Sequence, residues 1–285
     1  MPESSRKSIA RRRAQFTGER WEAAHLGVAR NKSFGLDECT PDQLELRALL
    51  ALGLFNTRRA ESVAAAWAIH YLTAYTITMS PRWDRLVLIA EAPVNVTNYI
   101  TRKENGISWI PGMRLKARYR NRGFALKHIP TSAELVVTGN KKGVTSKERE
   151  DCEWYSWTSV DLDEEDERLF AGVPSWSPDA QRLLAGLAVR LSLRDPNGRW
   201  AIGNWFWDPL QRRERKDRPR GEERRLLGGG GIWELDWNGY PYQEDLVAAL
   251  THPEAGIREA KYRPSMNGYT VSLGDASLAI RGPKA

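Results

Sequence analysis

Residues 75–90 read YTITMSPRWDRLVLIA, and the chain changes its period inside them. Tyr75–Met79 alternates polar and apolar side chains, the two-residue period of a strand with one covered face. Leu86–Ala90 is an unbroken apolar run, which suits a strand covered on both faces. Upstream, residues 40–56 read TPDQLELRALLALGLFN, and their period is helical. Thr40 is an N-cap, Pro41 opens the first turn, Asp42 favours the positive helix end, and Gln43 completes a capping box. Leu44, Ala48, Ala51, Leu52 and Phe55 recur at three- and four-residue spacing, and Asn56 stops the helix. Helix followed by strands, without regular β-α alternation, predicts an α+β fold.

Outward from that switch, the N-terminal part is helical. Residues 8–30 form two pieces interrupted at Thr17-Gly18, with Thr17 capping the second. Residues 58–71 form an Ala-rich helix with Val63, Ala66, Trp67 and Ile69. Val94–Ile100 is a short helix or an edge segment. The strands are mixed and mostly antiparallel with a few packing helices among them: Met113–Tyr119, Phe124–Ile129, Glu134–Thr138, Trp200–Trp207, Ile232–Trp237, Ile257–Tyr262, Tyr269–Leu273 and Ser277–Ile280. Ser177-Pro178-Asp179 opens a helix with Leu183, Leu187 and Leu191 inside and Arg182, Arg190 and Arg194 outside. Gln243–Leu250 is a short helix. The expected segments are a basic helical lead-in at 1–35, an α+β domain at 36–145, an acidic connector at 146–176, and a second α+β domain at 177–285 with a charged Gly-rich loop at 211–231.

Charge is distributed in blocks. The 285 residues carry a formal net charge of +7. Residues 101–147 sum to +9, residues 148–168 to −8, residues 1–35 to +5 and residues 211–225 to +4. Arginine outnumbers lysine 32 to 11, an excess that GC-rich coding alone produces. The segment Met113–Tyr119 predicts a strand with Arg114, Lys116, Arg118 and Arg120 on one face. Continued by Arg122 and Lys127, that face could follow a phosphate backbone. Trp109, Tyr119 and Phe124 are its stacking candidates. The flanking basic segments add Arg11, Arg12 and Arg13, and Arg212, Arg213 and Arg215. The competing reading folds the acidic run Asp161–Glu167 against that strand and cancels both.

Twelve tryptophans include Trp205-Phe206-Trp207 and Trp154-Tyr155-Ser156-Trp157. Such residues are more often core than exposed platforms for bases or sugars. The run Arg11–Gly18 resembles short N-terminal stretches of plasmid-type proteins of high-GC bacteria, and names no family.

Enzyme templates mostly fail. Gly139–Gly143 lacks the Gly-Lys-Ser/Thr ending of a phosphate loop, and Gly228–Gly231 opens no helix. There is no Gly-x-Ser-x-Gly elbow, no His-Glu-x-x-His and no Cys-x-x-Cys, so no metal or cofactor is expected. Glu259-Ala260-Lys261 with an upstream Asp236 or Asp245 resembles the metal-dependent pattern of restriction-type endonucleases, in which carboxylates hold the ion and Lys steadies charge. Two cysteines exclude a disulfide scaffold. No apolar signal follows the N-terminal charges. The uncharged stretch Ser62–Ser80 is long enough to span a bilayer but too polar, which points to the cytoplasm. The resulting expectation is a non-enzymatic bacterial cytosolic protein that binds nucleic acid or a nucleoprotein assembly. Its alternatives are an adaptor for basic or acidic protein partners through complementary charge blocks, and a nuclease using Asp236, Glu259 and Lys261.

Overall fold

A computed structural model describes residues 5–57, 69–101, 110–119, 123–144, 161–212 and 223–285, with the backbone of Cys152–Trp154. Among these the fold is α+β, as the change of period predicts. The first sheet has the order β1(Thr76–Pro81), β2(Arg85–Ala90), β5(Glu134–Thr138), β4(Gly123–His128), β3(Met113–Tyr119), β6(Cys152–Trp154). The second has the order β7(Arg224–Gly229), β8(Ile232–Trp237), β11(Ala276–Arg281), β10(Gly268–Leu273), β9(Lys261–Ser265). Each contains one parallel pair, β2 with β5 and β8 with β11, and is otherwise antiparallel.

The helices are α1(Ser5–Thr17), α2(Trp21–Gly27), α3(Pro41–Leu54), α4(Leu72–Tyr75), α5(Pro93–Thr101), α6(Glu164–Ala171), α7(Pro178–Val189) and α8(Gln243–Thr251). Helix α3 is apolar nearly all round, as a helix covered on every side must be. It packs against α7 and β2, while α7 reaches β1, β10 and β11, so the helix pair bridges the two sheets. Leu46, Leu49 and Leu50 of α3 meet Leu183, Leu184 and Leu187 of α7 in one apolar core. The expected segments 36–145 and 177–285 therefore share a core.

Strand β2 explains its own composition. Leu86, Leu88 and Ala90 enter that main core, while Val87 and Ile89 enter a second cluster with Ala23, Ala117, Tyr119, Ala125 and Val136. A strand between two covered layers has no polar face to display.

Several local expectations give way. Thr40 accepts from the Gln43 amide as predicted, but the Gln43 side chain donates to the Glu134 carbonyl across the core and leaves the capping box half made. Thr17 ends α1 rather than capping α2, donating to the Arg13 carbonyl and the Glu19 carboxylate. Residues 200–207 are not a strand. Gly203 and Trp205 both have positive φ, 64° and 67°, which folds this segment into successive turns. Residues 224–229 of the expected Gly-rich loop are strand β7, paired along their length with β8. Val94–Ile100 lies in helix α5, and residues 257–260 precede strand β9. Arg190, expected outside α7, is buried and grips both carboxylate oxygens of Asp37 at 2.7 and 2.8 Å. Of the expected helix 58–71, residues 58–68 lie outside the described residues and 69–71 form a turn rather than helix. Among the described ones no helix is long and apolar enough to cross a membrane.

Candidate nucleic-acid interface

The basic strand β3 is present, but its four-cation face is not. Pairing with β4 runs Arg114↔Lys127 and Leu115↔Leu126, then jumps to Ala117↔Ala125 and Arg118↔Phe124. Lys116 is the extra residue of a β-bulge, and a bulge reverses the alternation beyond it. Arg114 thus shares a face with Lys127, while Arg118 shares the opposite face with Phe124. The same reversal carries Ala117 and Tyr119 into the second core cluster.

The cations before the bulge are also spoken for. Arg114 donates to the buried carboxylate of Asp166, which also accepts from the Gly112 amide at 2.9 Å. Lys116 lies 3.3 Å from Glu134, which Arg85 also reaches. One contact of the acidic run with the basic strand is therefore internal, through α6. Tyr119 and Phe124 are buried and offer no free ring face for stacking. Trp109, Arg120 and Arg122 lie outside the described residues.

The other predicted cations separate by burial. Arg13 is fully buried: it bonds both oxygens of Glu19 and the carbonyls of Phe34 and Pro81. Burial pushes the Glu19 carboxyl upward, but the charge and hydrogen bonds of Arg13 outweigh it and hold the group below its ordinary value. Arg212 is a clamp: it bonds Asp208 and Asp245 and lies 4.4 Å over the Tyr242 ring. Arg13 and Arg212 therefore leave the interface. Arg213 and Arg215 lie outside the described residues.

The nuclease constellation does not assemble. Asp236 is on β8 and Lys261 on β9, with β11 and β10 between them, so about 14 Å of sheet separates the two strands. Glu259 precedes β9 at φ 72° and faces Arg258, while Asp245 is bound to Arg212. Among the described residues no group of three or more His, Cys, Asp or Glu could hold a metal ion.

Arg11 and Arg12 lead to a different site. They line a cleft of about 460 Å³ with Gln15, Asp195, Pro196, Arg199 and His252. A second cleft of about 690 Å³ is lined by Tyr75, Glu91, Arg194, Trp200, Asn204 and Trp207. The two share Gln15, Asp195 and Pro196 in their linings, so a cationic and an aromatic cleft adjoin there.

Local chemistry fixes their walls. The Arg194 amide donates to the Phe16 carbonyl at the end of α1, and the Thr78 hydroxyl of β1 donates to the Thr17 carbonyl at 2.6 Å. Asp195 receives the Arg199 amide and guanidinium, which closes the turn 195–199. Those Arg199 hydrogen bonds hold the Asp195 carboxyl below its ordinary value. His252 sits between Phe16 and Trp200, at 4.7 and 5.9 Å between ring centres. Its Nδ1 accepts from the Glu254 and Ala255 amides, and burial lowers its pKa, so the ring is neutral at pH 7.

Trp205 fills the core against Phe55 and Trp237, whereas Trp207, two residues on, is 60% exposed. Asp208 accepts from the Leu210 and Arg212 amides and holds the turn that presents Trp207. Reading the sequence passed over Arg194, Arg199, Asn204 and Trp207 as site residues. The Trp-Phe-Trp run was the available signal, but which tryptophan faces outward depends on a backbone turn, not on alternation.

Comparison with protein-family models, curated proteins and solved structures finds no match.

Proposed function

We propose that this protein is a non-enzymatic binding protein that holds single-stranded nucleic acid along the adjoining clefts, used as one groove. The observation that carries the reading is that a cationic and an aromatic cleft adjoin at Gln15, Asp195 and Pro196. Non-specific single-strand binders combine cations that track the phosphates with aromatic rings on which bases stack. Here Arg11, Arg12, Arg194 and Arg199 supply the first and Trp207 the second. Arg12 holds Glu254 at 2.6 Å with its own side chain 60% exposed, so the pair is an exposed one that a phosphate can compete for at little cost.

The carboxylates of Glu91, Asp195 and Glu254 offset most of the groove's positive charge. The electrostatic contribution is correspondingly small, and stacking carries a large share of the affinity. Fluorescence anisotropy with a labelled single strand and the matching duplex, over a salt series, tests this. The single strand binds more tightly, because a duplex cannot place a base against Trp207. The log–log salt slope is shallow, about −2 for two or three phosphates displaced from counterions. Equal affinity for duplex and single strand, or no binding at low salt, would contradict the reading.

A further inference from the structure

The aromatic half of the groove contains a hydrogen-bonding set that distinguishes among bases, and we infer that it selects guanine. This rests on the single-strand reading above and deepens it. Glu91 follows β2 and lines the cleft with Trp207. Its backbone amide is committed, donating to the Tyr75 carbonyl at 2.9 Å, while its carboxylate is exposed and takes part in no ion pair or hydrogen bond among the described residues. Asn204 lines the same cleft. Its Oδ1 accepts from the Phe206 amide at 3.2 Å, which assigns the side chain's orientation and leaves Nδ2 as a donor.

A carboxylate is an acceptor only, with two oxygens side by side. Guanine is the base whose Watson–Crick edge presents two adjacent donors, N1–H and N2–H, beside an acceptor, O6. Adenine and cytosine each present one amino group next to a ring nitrogen that accepts, and that nitrogen would face the second carboxylate oxygen. Uracil and thymine flank one donor with two carbonyls. The pair of an acceptor-only carboxylate and an amide donor therefore complements guanine and opposes the others. Single-strand recognition reads unstacked bases on this edge, and Trp207 supplies the platform for the ring.

The test uses the full chain and short uridine oligomers carrying a single guanine, adenine or cytosine. The guanine oligomer binds about tenfold more tightly than the others, in the range of a good two-bond base contact. Glu91→Gln replaces one acceptor oxygen with a donor and removes a negative charge from the groove, so it abolishes the guanine preference while tightening binding of plain uridine, adenine and cytosine oligomers alike. The substitution is on an exposed side chain, and an unchanged melting temperature separates lost selectivity from lost structure. Equal affinity for all oligomers in the natural chain, or a guanine preference that survives Glu91→Gln, overturns this inference and leaves the single-strand reading standing. Absence of binding by every oligomer overturns both.

Discussion

Arginine serves two opposite purposes in this chain, and burial decides which. Arg13, Arg47, Arg190 and Arg224 are among its largest fully buried side chains. Their guanidinium groups tie elements together: Arg47 bonds the Leu36 and Arg82 carbonyls, and Arg224 bonds the Leu54 and Trp205 carbonyls and the Thr73 hydroxyl. Burial lowers the pKa of Arg224 to about 9. Arg11, Arg12 and Arg199 stay at the surface. From sequence the classes look alike, since Arg11, Arg12 and Arg13 are consecutive. Breaking a buried pair leaves a lone buried charge, so Arg13→Ala destabilises the fold by about 3–5 kcal/mol in urea unfolding. Arg11→Glu with Arg12→Glu leaves stability within about 1 kcal/mol, as surface changes do, and weakens single-strand binding. A large loss of stability in the second variant would place those residues in the structural class.

Among elements, β3 shows where reading by period stops. Its alternation was legible, and so were the capped starts of α3 and α7, because each depends on neighbours within a few residues. The bulge at Lys116 was not legible, because it is defined by pairing with β4, which the segment itself does not encode. One extra residue converted an expected cationic face into one cation per side beyond the pair Arg114–Lys127. The aromatic segment 200–207 failed likewise: its alternation is strand-like, but Gly203 and Trp205 at positive φ override it. Deleting Lys116 removes the bulge and makes Leu115↔Leu126 and Ala117↔Ala125 consecutive pairs, so Ala117 and Tyr119 keep their face in the second core cluster. The melting temperature of that variant stays within a few degrees of the natural chain's, because no buried apolar side chain changes face. Loss of the folded state on deleting Lys116 would contradict the assigned register. Strand β9 is the other instructive element. All five of its residues are exposed, and it carries Lys261, Arg263 and Pro264 at the edge of the second sheet. Charged residues and proline discourage pairing with another chain, which accounts for Lys261 without catalysis.

For the whole molecule, acid is the sensitive variable. His128 is buried between Thr131 and the Pro111 carbonyl, with Nδ1 to the hydroxyl at 2.8 Å and Nε2 to the carbonyl at 3.0 Å. The carbonyl can only accept, so Nε2 carries the proton and Nδ1 accepts from Thr131. Burial lowers its pKa to about 4 from an ordinary 6.5. Above pH 6.5 neither the folded nor the unfolded chain protonates this ring, and it contributes nothing to the pH dependence. Between pH 6.5 and about 4 the unfolded chain takes up a proton that the folded chain refuses. Stability then falls by about 3 kcal/mol across that window from this group alone. His128→Gln flattens that part of the profile, and a profile equally steep in the variant would assign the loss elsewhere.

The groove also belongs to the whole molecule. Its walls come from α1, β1 and the segment 192–210, which are far apart in sequence and joined by Arg194 to Phe16 and Thr78 to Thr17. Arg11 and Arg12 could be singled out in advance because a cationic run is local. Trp207, Arg199 and Glu91 could not, since their proximity is a product of the fold.

The most direct measurement is a titration of a labelled single-stranded oligonucleotide with the natural chain and with Trp207→Ala at one low salt concentration, alongside their melting temperatures. Removing one stacking platform costs about 1–3 kcal/mol, so the variant binds roughly fivefold or more weakly at an unchanged melting temperature. Equal binding by the two chains, or none by the natural chain, would contradict a groove that holds a base against Trp207.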